Sequence, residues 1–477
     1  MTIVAPLTRL IGAEHVLIGD AIGARYAQDL WGSDRIGAPT VVARPASTAE
    51  VAAVLAECHR RRQPVVVQGG MTGLVGGGVP DAHEVVLSLE RMTAIEEIDV
   101  VGATMTVQAG ATLQQVQEAA ERHGLMFPLD LASRGSCTIG GCLATNAGGN
   151  RVLRYGMTRD LVLGVEAVLA DGTTLPGLHK LVKNNAGYDL KHLFIGSEGT
   201  LGVITRAVLR LQPLPRTRHV AFCGVSGVDA ALALLGRLRA ALPGSISAFE
   251  AIWDEAYQLI LPLRDTVRTP LTGRYPVYAL VEMQGSDPAG DSERFVAGLA
   301  ACADLIAESA VGLGPTEVAA LWAVRERIPS LILGGELPLF GFDVSLPATS
   351  LKTYLASVER ELRELWPQVS LQVFGHLGDG NVHIAVVTGE TTRKRKTEVE
   401  HIVYRNVERF QGSISAEHGI GFEKEPYLAY SRRPEEVATM RLLKQALDPH
   451  GILNGGRIFT TTTVGGRAVV TGSEVPA

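Results

Sequence analysis

Three runs of small residues constrain this chain more than any other feature. The first, Gln68-Gly69-Gly70-Met71-Thr72-Gly73-Leu74-Val75-Gly76-Gly77-Gly78, follows the apolar stretch Pro64 to Gln68. The second follows Pro128-Leu129-Asp130 and reads Gly135-Ser136-Cys137-Thr138-Ile139-Gly140-Gly141-Cys142-Leu143-Ala144-Thr145-Asn146-Ala147-Gly148-Gly149-Asn150. The third is Gly196-Ser197-Glu198-Gly199-Thr200-Leu201-Gly202-Val203-Ile204. Glycine lets backbone approach a ligand closely, and successive backbone N–H groups can converge on an anion. A diphosphate is the natural guest of the first run. That run has no Gly-Lys-Ser/Thr and no G-x-G-x-x-G, so neither the Walker nor the Rossmann pattern applies. The second run is too long for a simple turn. Three such loops in one region suit a single long dinucleotide better than three unrelated turns.

The 477 residues predict two or three domains. A hydrophobic fraction of 46% with 20% charged residues reads as an ordinary folded protein. A net charge of −6 excludes the electrostatic footprint of a nucleic-acid binder or a polybasic membrane patch. The basic run Arg393 to Lys396 lies between Glu390 and Glu398 and reads as a solvated helix start. Five cysteines, at 58, 137, 142, 223 and 302, form no C-x-x-C pair. An iron–sulfur cluster or a cysteine-type zinc site lacks ligands, and scattered thiols fit a reducing compartment. Met1 to Asp20 lacks the pattern of a secretory leader. No apolar run reaches the roughly 18 residues of a membrane span. The expectation is a cytoplasmic enzyme.

Residues 1–35 read as a helical segment. Val41 to Pro45 predicts a strand, and Thr48 is read as the cap of a helix running to Arg62. Strands over Val85–Leu89, Ile95–Asp99, Thr104–Ala109, Val162–Ala170 and Gly202–Leu211 surround the glycine loops, with a helix over Leu113–His123. This is an α+β domain, 36–215, closed by the prolines of Gln212-Pro213-Leu214-Pro215. Beyond it, strands over Val220–Val225 and Val277–Met283 alternate with helices over Val228–Ala241 and Asp291–Ala303. That order predicts a ferredoxin-like domain, 216–415. Residues 416–459 form a separate C-terminal segment, and 460–477 are small and polar, expected as a disordered tail.

Gln372 to Val387 reads as two strands joined at Asp379-Gly380, a favoured pair for a two-residue type I′ turn. That turn pairs His376 directly with His383, with Cβ atoms about 5 Å apart on one face. Two imidazoles at that spacing can share a metal ion. Ser415-Ala416-Glu417-His418-Gly419-Ile420-Gly421 sets a Glu beside a His in an apolar, glycine-flanked stretch. Both are costly to bury unpaired.

The strings "VVVQGGMTGLVGG", "SCTIGGCLATNAGG", "LRYG", "GYDLKHLFIGSEGTLGVIT", "GHLGDGNVH" and "SAEHGIG" resemble the FAD-binding flavoproteins of the vanillyl-alcohol-oxidase superfamily, with the PCMH-type fold. Within it they are similar to the D-2-hydroxyglutarate and flavin-dependent D-lactate dehydrogenases. The resemblance spans roughly 35–459. It implies a two-part FAD domain, a ferredoxin-like substrate domain, and a C-terminal segment returning to the FAD domain. It implies noncovalent FAD, held by the three loops with Tyr155, Gly156 and Asn454. It makes His376, His383 and Glu417 ligands of a divalent metal, zinc or manganese, and His418 the general base. Arg325 is then the grip on the substrate carboxylate, since a guanidinium binds a carboxylate through two hydrogen bonds. The implied reaction removes a hydroxyl proton to His418, an imidazole being suited to the task because its unperturbed pKa lies near neutrality, and passes hydride to the flavin. A homodimer and an external electron acceptor, a quinone or an electron-transfer flavoprotein, are also implied.

The sequence departs from the group's pattern at Met71, where relatives carry Asn. It departs again at Pro329, Gly341 and Ala385, where the 2-hydroxyglutarate enzymes carry Thr, Lys and Asn. Loss of a Lys and a Thr removes donors that a second carboxylate needs. The expected substrate is a D-2-hydroxy monocarboxylate with a small or apolar side chain. Other readings are an enzyme of the same scaffold acting on a sugar or polyol, a flavin-binding subunit without its own chemistry, and a metallohydrolase. The hydrolase leaves the glycine loops unexplained, and the others leave the paired histidines beside Glu417-His418 unexplained.

Overall fold

The computed structural model describes residues 3–30, 36–263, 269–334, 338–459, 461–464 and 467–470. Two compact units emerge. One comprises Met1–Gly149, Met157–Leu214 and Glu417–Ala477; the other comprises Asn150–Gly156 and Pro215–Ala416. The chain passes between the two units at 214/215 and at 416/417. The excursion of Asn150–Gly156 into the second unit was not foreseen.

In the first unit, the short valine-rich stretches Val41–Ala43, Val85–Ser88 and Val65–Gln68 become strands buried on both faces and carry the more exposed Val16–Ile18 at their edge. They form a sheet of order Val16–Ile18, Val41–Ala43, Val85–Ser88, Val65–Gln68. The last three strands are parallel, as sheets covered on both faces commonly are. The helix Thr48–Arg61 makes the crossover, burying Val51, Val54, Leu55 and Cys58 at helical spacing. Its cap is Ser47, whose Oγ accepts the Glu50 N–H at 3.2 Å. The expected cap, Thr48, instead donates to Glu166 Oε1 at 2.5 Å. The N-terminal segment is also not purely helical. Val4–Ile11 is a helix, but Val16–Ile18 joins the sheet beside Val41–Ala43. Residues 1–2 and 31–35 of that expected segment lie outside the described residues. A second, antiparallel sheet runs Ile95–Asp99, Thr104–Gln108, Val203–Arg210, Val162–Val168, Thr174–Gly177.

The C-terminal segment closes onto the first sheet. The Val65 N–H donates to Ile452 O at 2.7 Å, and the Asn454 N–H donates to Val65 O at 2.8 Å. Beyond it, Thr461–Val464 pairs antiparallel with Arg467–Val470, where the sequence predicts no regular structure. The rest of the expected tail, 460, 465–466 and 471–477, lies outside the described residues.

The second unit is one seven-stranded antiparallel sheet of order Glu308–Gly312, Thr217–Val225, Val277–Gly285, Ile246–Trp253, Ser370–Gly375, Asn381–Val387, Leu339–Ser345. Numbered along the chain, its first four strands lie 4-1-3-2 with helices Val228–Ala241 and Asp291–Ala300 as crossovers, the ferredoxin-like order expected. The last three, with helix Leu351–Leu365, repeat that order without a fourth strand, so the sheet is larger than the sequence suggests. Cross-strand partners share a face. Glu250, Ile252, Phe374, His383, Ala385, Gly341 and Asp343 therefore line one face by register. The helix Pro315–Gly334 packs on that face through Val318, Leu321, Trp322, Val324, Ile328 and Ile332. Among the described residues no helix is long and apolar enough to cross a membrane.

Candidate functional site

The three glycine loops meet within the first unit. A Cβ on Gly69 would lie 2.5 Å from Thr138 Oγ1, and one on Gly70 would overlap Ser136 O, so only glycine lets the first loop touch the second. The second loop contains a short helix, Ile139–Thr145, capped by Thr138 Oγ1 accepting the Gly141 N–H at 3.3 Å. The third loop hangs on that helix: the Gly196 N–H donates to Leu143 O at 2.9 Å, and the Glu198 N–H to Ala144 O at 2.8 Å. Between them opens a cavity of about 450 Å³, part of it open to solvent. Its wall is Val67, Gly69, Leu89, Gly140, Gly141, Ala144, Phe194, Glu198, Gly199, Gly202, Val203, Ile204 and Asn454. Ten of these thirteen stand among the expected cofactor residues. Val67, Leu89 and Phe194 are the other three, because an apolar residue near a strand or helix end carries no sign in sequence of the cavity it faces.

This wall suits an anionic dinucleotide such as FAD. It is built of glycine backbone and apolar side chains, which admit close approach. Its one carboxyl, Glu198, is pushed up in pKa by burial, against the pull of the Ile420 and Gly421 N–H groups and of Lys424. Gln68 serves the loop's shape, donating to Tyr26 O at 2.9 Å and Gly78 O at 2.8 Å. Met71 adopts φ +55°, a left-handed conformation that asparagine takes with less strain. Tyr155 and Gly156 lie in the second unit, where the Tyr155 hydroxyl donates to Gln284 Oε1 at 2.9 Å.

The C-terminal segment braces the first unit with buried charge. Arg457 pairs with Glu84, donates to Gly77 O at 3.2 Å and Val79 O at 2.6 Å, and stacks over Phe422 at 4.3 Å. Lys444 donates to Thr200 O and Leu453 O, each at 2.8 Å, and to Asp448 at 2.5 Å. Glu417 Oε1 accepts the Gly149 N–H at 2.7 Å, beside the second glycine loop.

In the second unit the two hairpin histidines come together, but not in the expected register. Phe374, not His376, pairs with His383. The turn is longer than two residues: Leu377–Asp379 makes a 3-10 turn, and Gly380 closes it at φ +82°. Fully buried Leu377 takes up the extra length. The register slips by two, so both imidazoles keep the same face. Their ring centroids are 5.5 Å apart, and each offers a ligand atom within 4.8 Å of the other's.

Carboxylates hold both rings from behind. Glu250 Oε1 meets His376 Nδ1 at 2.7 Å, and its Oε2 accepts from Arg325 Nε at 2.8 Å. Burial would raise the Glu250 pKa, yet the charges of His376 and Arg325 and their hydrogen bonds hold it at about 2. Asp343 Oδ1 lies 3.5 Å from His383 Nδ1 and accepts from Asn381 Nδ2 at 2.7 Å. Its Oδ2 accepts the Ala416 N–H at 3.0 Å. A carboxylate on Nδ1 directs Nε2 outward, the arrangement that usually supports metal-bound histidine. These residues fit a divalent metal, which would be held by His376 and His383 with an oxygen ligand completing the set. Ala416, held by Asp343, is the residue directly before Glu417 in the chain. Arg325 is buried, with its guanidinium 4.7 Å over the Phe374 ring.

Sequence reading missed Glu250 and Asp343. A signal existed: each is the only acid in an otherwise apolar strand, Ile246–Trp253 and Leu339–Ser345. Glu282 in Val277–Gly285 follows the same rule and anchors Arg151 at 3.0 Å. A lone carboxylate in a buried strand must find a partner.

The fold and the converging loops are those of an FAD-binding oxidoreductase. A family model described as an FAD binding domain matches residues 39–176, and one described as the C-terminal domain of FAD linked oxidases matches 214–458. D-2-hydroxyglutarate dehydrogenase, mitochondrial, of Bos taurus is 41% identical over 428 residues, covering 89% of this chain and 78% of that one. A Schizosaccharomyces pombe protein whose name carries D-lactate dehydrogenase, mitochondrial, is 36% identical over 433 residues, covering 89% and 82%. A crystal structure of p-cresol methylhydroxylase with substrate bound superposes with a TM-score of 0.74 at 17% identity, covering 96% of each chain, which establishes the shared PCMH-type fold. The chain belongs to the FAD-linked oxidases, in the group that contains the D-2-hydroxyglutarate and D-lactate dehydrogenases.

Proposed function

We propose that this enzyme oxidises a D-2-hydroxy acid to the 2-oxo acid, using FAD and a divalent metal held by His376, His383 and Glu417. The observation that carries the metal reading is the pair of carboxylate-backed imidazoles on one sheet face. When bound, FAD supplies the hydride acceptor and the metal polarises the substrate hydroxyl. His418 takes the hydroxyl proton as a neutral imidazole. Arg325 grips the substrate carboxylate, and Glu250 fixes both Arg325 and His376, so carboxylate binding and the metal position share one support. The flavin's electrons then pass to an external acceptor, a quinone or an electron-transfer flavoprotein.

The favoured substrate is a monocarboxylate with a small or apolar side chain. Gly341 and Ala385 are direct cross-strand partners. Ala385 is buried in one apolar cluster with Val324, Ile328 and Ile332 of the helix that contains Pro329. Gly341 and Ala385 therefore share the sheet face of His383 and Asp343, the face against which the helix containing Pro329 packs. A second carboxylate there would lack donors, and an unpaired buried charge is strongly disfavoured. The test is anaerobic flavin bleaching with D-lactate, branched D-2-hydroxy acids, D-mandelate, D-2-hydroxyglutarate and the L enantiomers, before and after chelation. D-monocarboxylates should bleach fastest, and chelation should abolish it. Faster bleaching by 2-hydroxyglutarate would refute the substrate assignment; indifference to chelation would refute the metal.

A further inference from the structure

We propose that Glu198 is a positioning residue for the loop carrying Glu417 and His418, tying that loop to the wall of the cofactor cavity. The inference rests on the reading of His418 as the base. Glu198 belongs to the third glycine loop and lines the cavity. Its carboxylate does not reach outward to a side-chain cation for its closest bonds. Oε1 accepts the Ile420 N–H at 2.7 Å, and Oε2 accepts the Gly421 N–H at 2.8 Å. Both oxygens are thus spent on consecutive backbone donors, two and three residues after His418.

Three further features point the same way. Glu198 itself sits at φ +51°, a strained conformation for a non-glycine residue. Its backbone is held in that state from both sides: its N–H donates to Ala144 O at 2.8 Å, and its carbonyl accepts from Asn454 Nδ2 at 2.6 Å. On the facing loop, Gly419 has φ +88°, and a Cβ there would lie 2.9 Å from Glu198 Oε1. The loop is also clamped from its other side, where the Phe422 N–H donates to Val75 O of the first glycine loop at 3.0 Å. A carboxylate held so rigidly sets where the backbone after His418 runs. Charge-assisted bonds from backbone N–H to carboxylate are roughly twice as strong as neutral ones. Imidazole placement within a fraction of an ångström decides proton-transfer rates.

The test is a double-mutant cycle on the holoenzyme: Glu198→Gln, His418→Gln and the pair, with Gly419→Ala as a second disturbance of the same contact. Rates of anaerobic flavin reduction at saturating substrate, KM, flavin content and the visible flavin spectrum are measured for each. Glu198→Gln should keep its flavin and slow reduction at least tenfold, with KM moved much less. Gly419→Ala should slow it in the same sense. In the His418→Gln background, Glu198→Gln should add little, because the base it positions is already gone. Multiplicative losses in the double variant, a Glu198→Gln enzyme of native rate, or a loss explained by missing flavin would each overturn the proposal. A His418→Gln enzyme of native rate would instead overturn the base assignment, and this inference with it.

Discussion

At the residue scale, the decisive side chain is one whose only local sign is that it is the sole acid of its strand. Glu250 joins Arg325 to His376 through its two oxygens, inside the sheet of the second unit. Removing one member of a buried charged group costs about 3–5 kcal/mol, because the others remain buried without compensation. Loss of a carboxylate behind a metal-bound histidine typically weakens metal binding about 10–100-fold. Glu250→Gln should therefore lower both thermal stability and metal content, read by calorimetry and by metal analysis after dialysis. Native values for both would show that the triad is dispensable. His376, His383 and Arg325 were legible as candidates because histidines at a turn and an arginine in a motif stand out from their surroundings. Their supports were not, because an acid in a strand shows its purpose only when its cross-strand and helical neighbours are known.

At the element scale, periodicity located strands such as Val85–Ser88 and the helix Val228–Ala241, but not Ile246–Trp253, Glu308–Gly312 or Leu339–Ser345 of the second unit's sheet. Register was harder to read. Asp379-Gly380 suggests the shortest hairpin turn, yet the chain makes a longer one, because burying Leu377 outweighs the local preference of two turn residues. The error preserves the face only because the slip is even. Gly380 now fixes the turn: its φ is +82°, and a Cβ would overlap Leu346 O. Gly380→Ala adds a left-handed penalty of about 1–2 kcal/mol to that overlap. It should lower the melting temperature and loosen the metal while leaving flavin content unchanged, since the cofactor cavity is built from other segments. A variant with native metal affinity would mean that the turn does not set the spacing of the imidazoles.

At the scale of the whole molecule, the chain returns to finish a domain it left two hundred residues earlier. The resemblance predicted that return, but composition and periodicity could not, because nothing local in 417–459 names its partner. Its energetic meaning lies in buried charge. Glu84, in the first unit's opening segment, has its counter-charge at Arg457. Thr200 O receives its hydrogen bond from Lys444, and the edge of Val65–Gln68 is completed by Ile452 and Asn454. A fragment ending at Leu214 would bury a carboxylate without its guanidinium and expose a strand edge, two conditions that favour unfolding and aggregation. That fragment should fail to unfold cooperatively and should bind no FAD. Supplying 417–459 as a separate chain should restore part of both, because the lost contacts are noncovalent. The comparison is made by thermal melts and flavin fluorescence quenching. A fragment 1–214 that binds FAD with the affinity of the full chain would show that the cavity forms without Asn454 and that the returning segment serves only to deliver Glu417 and His418.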